Sequence, residues 1–252
     1  MLDYYEKLKE QLALEYSCSP EDFEISDNVL TEAELHKDRR IYSKYKPFFQ
    51  MVTLGKNAVI TADSCLDSFL VKFLKLGNGY TLFDVPKLIK IESELNSYGY
   101  TLTEISRMYL PSSDVVIESD IDVKWFTNKE INRFYGDKRF PNAICPKRDP
   151  DRPDRIVVCG YDGKKIIGMA GCSEDAPGWM QIGIDVMPEY RSKGVGAYLV
   201  SLLKNRIIEN GDVPFYGTSV GNIHSVNLAL KCGFRPCWTE IGSKRLNKIM
   251  QY

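Results

Sequence analysis

The stretch Gln181-Ile182-Gly183-Ile184-Asp185-Val186-Met187-Pro188-Glu189-Tyr190-Arg191-Ser192-Lys193-Gly194-Val195-Gly196-Ala197-Tyr198-Leu199 reads as a strand, a turn and a helix. Pro188 closes the strand, since proline has no N–H to give a central ladder. Val195, Tyr198, Leu199, Leu202 and Leu203 then fall at helical spacing, and Asn210-Gly211 supplies the stop. Between the two lies Arg-Ser-Lys-Gly-Val-Gly. Its glycines permit close backbone approach, the first helical turn presents N–H groups without partners, and Arg191 and Lys193 add positive charge. Such a turn suits a pyrophosphate. Taken alone it also fits a glycine-rich helix entry with a solvated arginine, so its surroundings must decide.

Upstream, Arg155–Tyr161 is β-branched and apolar, Asp162-Gly163 is a two-residue turn, and Lys164–Cys172 returns, which predicts an antiparallel hairpin. Trp179–Met187 follows as another strand after the turn Asp175-Ala176-Pro177-Gly178. Downstream stands a second ordered block, Tyr216-Gly217-Thr218-Ser219-Val220-Gly221-Asn222-Ile223-His224-Ser225-Val226-Asn227-Leu228-Ala229-Leu230-Lys231-Cys232-Gly233-Phe234. Asn222 is placed to cap a short helix that ends at Gly233, with Phe234 opening the next strand.

These two blocks, in this order and separation, resemble the acetyl-CoA signature of the GNAT superfamily of N-acetyltransferases. The likeness runs from about Ile117 to Tyr252. The N-terminal half resembles, without a motif to quote, bacterial two-domain members that carry an extra domain in front. The resemblance implies an α+β fold: a mixed, mostly antiparallel sheet flanked by helices, preceded by a smaller, mostly helical α/β domain. The fourth and fifth strands of the GNAT sheet would splay, with pantetheine bonding in the gap as an added strand does. Residue by residue, Ile184 and Val186 would face the pantetheine. Arg191, Ser192, Lys193, Gly194, Val195, Gly196 and Ala197 would cradle the pyrophosphate, and Asn222 would reach the pantetheine arm. The implied reaction is direct acetyl transfer from acetyl-CoA, as cosubstrate, to an amine acceptor whose identity the sequence does not give.

The sequence departs from the commonest members of that family. Many place a tyrosine seven residues after the asparagine as general acid, where this chain has Ala229. Ser225, three after the asparagine, is the candidate for bonding the thiol or cofactor, or simply a second hydroxyl for the helix N-terminus. No glutamate base matches: Met180 or Gln181 stands early on the fourth strand, and Gly217 stands before the asparagine block. Asp185, a carboxylate among Ile184 and Val186, is the candidate catalytic acid, or alternatively a hydrogen-bond or ion-pair partner of a neighbouring strand or of the N-terminal domain. His224 is read as an exposed helix-start residue, and Tyr190, Tyr216 and Trp238 as lining or buttressing the cleft.

The N-terminal half carries helical stripes. Leu2–Tyr16 is amphipathic, Phe48–Ile60 reads as a hairpin around Gly55-Lys56-Asn57, Asp63 caps a helix that Gly77-Asn78-Gly79 stops, and Asp84 caps one that carries Pro86 in its first turn and ends at Gly99. Pro111-Ser112-Ser113-Asp114 marks a boundary, giving an accessory, acceptor-selecting domain over 1–112 and the acetyltransferase domain over 113–252. Composition is ordinary, 44% hydrophobic and 27% charged. No apolar run is long enough for a membrane span, and the N-terminus lacks a signal-peptide pattern, so the expected location is cytoplasmic. Seven scattered cysteines and two histidines offer no metal-site spacing. The net charge of -1 gives no concentrated basic face for nucleic acid. A monomer or homodimer is expected. The competing functions are an acyl-CoA binding or sensing protein that has lost its catalytic groups, and a structural domain.

Overall fold

The computed structural model describes residues 4–246. In chain order the elements are α1 (Tyr4–Tyr16), β1 (Val29–Glu32), β2 (Phe49–Thr53), β3 (Ala58–Ala62), α2 (Asp67–Phe73), α3 (Val85–Ser97), β4 (Tyr100–Leu102), β5 (Ser106–Pro111), β6 (Asp122–Thr127), β7 (Asp154–Asp162), β8 (Lys165–Ala176), β9 (Trp179–Val186), α4 (Val195–Glu209), β10 (Val213–Ser219), α5 (Ile223–Lys231) and β11 (Phe234–Arg245). Leu2, the expected start of the first helix, lies outside the described residues. Two compact units result: one gathers residues up to 39, 43–107 and those from 237 on, and the other holds 40–42 and 108–236. The main divisions fall at 107/108 and 236/237. The segment from 237 joins the first unit because Thr239–Gly242 of β11 pair antiparallel with β2 and Ser243–Arg245 pair with β4. Trp238 goes with it.

In the first unit β1, β3, β2 and β11 lie side by side, with α2 and α3 packed on their apolar face. Asn28 fastens this unit through four bonds. Its Nδ2 donates to the carbonyls of Leu74 and Gly77 at 3.0 and 2.7 Å, and its Oδ1 accepts from the N–H groups of Ala58 and Gly79. Asp63 accepts from Cys65 N–H and caps a 3-10 turn that feeds α2, while Asp84 takes the cap position of α3 with no side-chain bond.

The second unit is a sheet in the order β5-β10-β9-β8-β7-β6. Strands β6 to β9 run antiparallel to their neighbours, and β10 is parallel to β9. The β7–β8 turn is Gly163-Lys164, one residue later than expected, because Asp162 still pairs with Lys165; Gly163 supplies the positive φ. Alternation along the strands sends Ile156, Val158, Met180 and Ile182 to a core under α4. Val157 and Cys159 face a second core on the opposite side, roofed by Phe134, Phe140 and Ala143.

Position of α5 depends on Lys204, which α4 carries into the core with no solvent exposure. Its ammonium donates to the carbonyls of Cys232 at 2.8 Å and Ser113 at 3.0 Å, and lies over the Phe234 ring. It therefore satisfies the carbonyl at the end of α5, where Gly233 turns the chain at φ +78°. Burial pulls its pKa below the ordinary lysine value. Replacing Lys204 by Met leaves both carbonyls without that donor, so we expect a loss of about 2–3 kcal/mol in denaturant unfolding. Amide exchange should accelerate first in α5 and the Gly233 turn.

Candidate functional site

Strands β9 and β10 part company. Pairing holds over Trp179–Ile182 against Val213–Tyr216 and stops there. Yet β9 continues to Val186, still bonded to β8 on its other edge through Gly183–Gly171 and Val186–Gly168, and β10 continues to Ser219. The inner edge of Gly183–Val186 consequently faces a gap in the sheet, with no strand bonded to it among the described residues. Ile184 and Val186 point toward the core under α4.

The mouth of the gap leads directly into the glycine turn. Ser192 and Gly194 both take left-handed conformations, at φ +59° and +85°. Arg191 reaches back and donates Nε to the carbonyl of Val186 at 3.0 Å, which fixes the turn against the end of β9. The first helical bond of α4 runs from Tyr198 N–H to Gly194 carbonyl. The N–H groups of Val195, Gly196 and Ala197 therefore precede the helical ladder and open outward. A Cβ built on Gly194 meets nothing within 4 Å, whereas one on Gly196 meets Val186, Ile184 and Leu228 at 3.4–3.8 Å. Lys193 places its ammonium 5.4 Å over the ring of Tyr190, whose hydroxyl donates to Asp162. The turn is exposed, cationic and lined with free N–H groups, all that an anionic phosphate needs.

On the opposite face of β9, Gly183 sits directly across from Gly171 of β8. This bare patch lets the chain at 142–143 lie on the sheet. A Cβ at Gly183 would fall 1.8 Å from the Asn142 carbonyl oxygen, and one at Gly171 would fall 2.1 Å from that of Ala143. Asp185, two residues along the same face, clamps the segment. Its carboxylate accepts from Asn142 N–H at 2.6 Å, Asn142 Nδ2 at 2.6 Å and Ala143 N–H at 2.9 Å. The carboxylate is a hydrogen-bond acceptor whose partners lie on the turn at 142–143, on neither a neighbouring strand nor the N-terminal half. Gln181 occupies the same face nearer the root of the gap, accepting from Arg152 at 3.2 Å, while Arg152 is also held by buried Asp175.

Helix α5 supplies the other wall. Asn222 is exposed and accepts from Ser225 N–H at 3.2 Å, the expected cap. Ser225 Oγ in turn lies 2.8 Å from the hydroxyl of Tyr216, a buried residue at the last paired position of β10. Sequence reading placed Tyr216 at the cleft and gave it no chemistry. His224 is exposed at the start of the helix.

Residues 122–234 match the family model described as the acetyltransferase (GNAT) family. This stretch is a GNAT domain. The match opens with β6, ends at Phe234, and contains the gap, the glycine turn and the asparagine-capped helix. Among solved structures, a GNAT-family acetyltransferase from Colwellia psychrerythraea is 13% identical at a TM-score of 0.43, with 57% of this chain and 57% of that one covered. A GCN5-related N-acetyltransferase from Kribbella flavida is 13% identical at a TM-score of 0.45, covering 61% of this chain and 62% of its own. The protein yncA of Salmonella typhimurium, solved with its cofactor acetyl-CoA, is 15% identical at a TM-score of 0.36, covering 52% and 96%. The chain thus spans about three fifths of the length of the first two. No curated protein matches the sequence.

Within the GNAT domain the cysteines are unsuited to nucleophilic work. Burial pushes the thiols of Cys159, Cys172 and Cys232 up to about 12 and that of Cys145 to about 11. Thiolate is the reactive form, and these groups stay protonated. None of the seven cysteines, all among the described residues, forms a disulfide. Among the described residues no cluster of three His, Cys, Asp or Glu is placed to hold a metal ion.

The clamp yields a discriminating outcome. Asp185→Asn turns an amide donor toward the N–H groups of 142–143, so we expect about 2 kcal/mol of lost stability and faster amide exchange there. Gly183→Ala should loosen the same segment while leaving the carboxylate in place. A reaction that needs the segment, with Asp185 as its clamp, will slow in both variants. Chemistry performed by the carboxylate itself will be lost only in Asp185→Asn.

Proposed function

We propose that the GNAT domain transfers an acetyl group from acetyl-CoA directly to an amine of a small molecule or peptide. The observation that carries this reading is the loss of pairing after Ile182 and Tyr216, immediately beside a turn of free N–H groups. An open strand edge asks for a ligand with its own amide groups, and an exposed cationic turn asks for a pyrophosphate at one end of it. Coenzyme A has both in that order. The residues present fit this cosubstrate: Arg191 to Ala197 would bind the pyrophosphate, Ile184 and Val186 the pantetheine, and the exposed Asn222 the pantetheine arm.

In this reading the amine nitrogen attacks the thioester carbonyl, a backbone N–H of the open β9 edge steadies the oxyanion, and the thiolate departs. Holding the two reactants in one gap supplies most of the acceleration, and one oxyanion donor contributes on the order of 10²–10³-fold. Asp185 acts by holding the 142–143 segment and Ser225 by its hydroxyl on the wall of the gap. With Met180, Gln181 and Gly217 where glutamate bases would stand, the amine is expected to enter as its free base. Turnover should then rise with pH up to the acceptor's own pKa, roughly 8 for an α-amine or 10 for a lysine-like one.

The competing reading, an acyl-CoA sensor, is favoured by Ala229 and by the engaged carboxylate of Asp185. Calorimetry with acetyl-CoA, together with thiol release in the presence of polyamines, amino acids, an aminoglycoside and a peptide N-terminus, separates the two. Transfer predicts binding with amine-dependent release, sensing predicts binding alone, and no binding removes both. Gly194→Leu should weaken acetyl-CoA binding at least 100-fold, because its side chain enters the open space beside the turn. The left-handed backbone at this position adds a stability cost of roughly 1 kcal/mol. Normal binding by that variant would show that the cradle is misassigned.

A further inference from the structure

The hydroxyl pair Tyr216–Ser225 is the polar feature of the gap that the reading above leaves without a partner. Tyr216 is 3% exposed and its ring packs 5.9 Å from that of Phe234, so its orientation is set by the core. Ser225 is half-buried in the first turn of α5, and its backbone is fixed by the Asn222 cap. The two oxygens are 2.8 Å apart and either can be the donor. Two hydroxyls own two protons, and the bond between them uses one. Whichever way it runs, one O–H is left over.

That leftover proton stands at the end of the gap where the sulfur belongs. The cradle follows the C-terminal end of β9, so a pantetheine chain entering there runs back along Val186, Ile184 and Gly183 toward the last bonded pair, Ile182–Tyr216. Four strand residues span about 13 Å, which suits an extended pantetheine arm. Its far end, the thioester, then arrives at Tyr216 and Ser225. Ala229 on α5, fully buried, presents no hydroxyl of its own.

Building on the acetyl-transfer reading, we propose that Tyr216 is the proton donor to the departing coenzyme A thiolate, with Ser225 as the positioning residue that holds its hydroxyl. As the new C–N bond forms and the C–S bond breaks, the electron pair of that bond goes to sulfur, which takes the phenol proton. The phenolate then regains the proton that the acylated nitrogen releases. No further reactant is needed. Burial raises the Tyr216 pKa above the ordinary tyrosine value, which favours the protonated hydroxyl.

The test uses the full chain with acetyl-CoA and the amine giving the fastest wild-type release. Tyr216→Phe removes one oxygen and keeps the ring packed, so a thermal midpoint near wild type is expected. Its acetyl-CoA affinity should change less than about threefold while single-turnover transfer slows on the order of 10²-fold, the usual size of a general-acid contribution. Ser225→Ala should slow transfer similarly with KM little altered, and Ser225→Thr, which restores the hydroxyl, should recover most of the rate. Wild-type transfer by Tyr216→Phe overturns this proposal alone. A wild-type protein that binds acetyl-CoA yet releases no thiol with any amine overturns it together with the transfer reading.

Discussion

The site depends on one broken ladder. Inside a sheet every strand edge is expected to be bonded, because a buried N–H or carbonyl without a partner costs about as much as a lost hydrogen bond. Strands β9 and β10 obey that rule for four residues and then abandon it, although both chains stay extended. The separation is held from outside the gap. On one side β8 keeps β9 straight to Val186, and Arg191 ties that end to the glycine turn. On the other, Lys204 and the Asn222 cap hold α5 beside β10. The gap is a built feature, and its unpaired edge favours a ligand that completes the ladder.

What could be read in advance follows from how local each signal is. The glycine turn, the helix after it, the Asn222 cap and the Gly233 stop are each set by a few neighbouring residues, and all stand where the sequence puts them. The clamp at Asp185 was legible only as a puzzle, a charge on an apolar strand. Its answer lies in the segment near 142, which has no helical or strand period, and in the pairing of Gly171 with Gly183, which needs the register of two strands. The pairing of the last strand is non-local in the same way. Residues 237–245 look like the continuation of a strand begun at Phe234, and nothing local says that their partners are β2 and β4.

Tyr216 shows the limit most clearly. Reading hydroxyls along α5 finds Ala229 at the tyrosine position and Ser225 three residues after Asn222, and goes no further, because a motif ties a role to a position on one element. The structure ties it to a place in space, and β10 reaches that place from the other side. A strand residue at the root of the gap has its ring fixed by packing and its hydroxyl aimed at the helix. A helix can therefore lose its tyrosine without the gap losing a proton donor, provided that the opposing strand supplies one and a small residue such as Ser225 is there to orient it. Losing a motif residue is thus weak evidence for losing the chemistry. The hydroxyl must be looked for among all the walls of the gap, and here the wall that carries it is the strand whose pairing ends there.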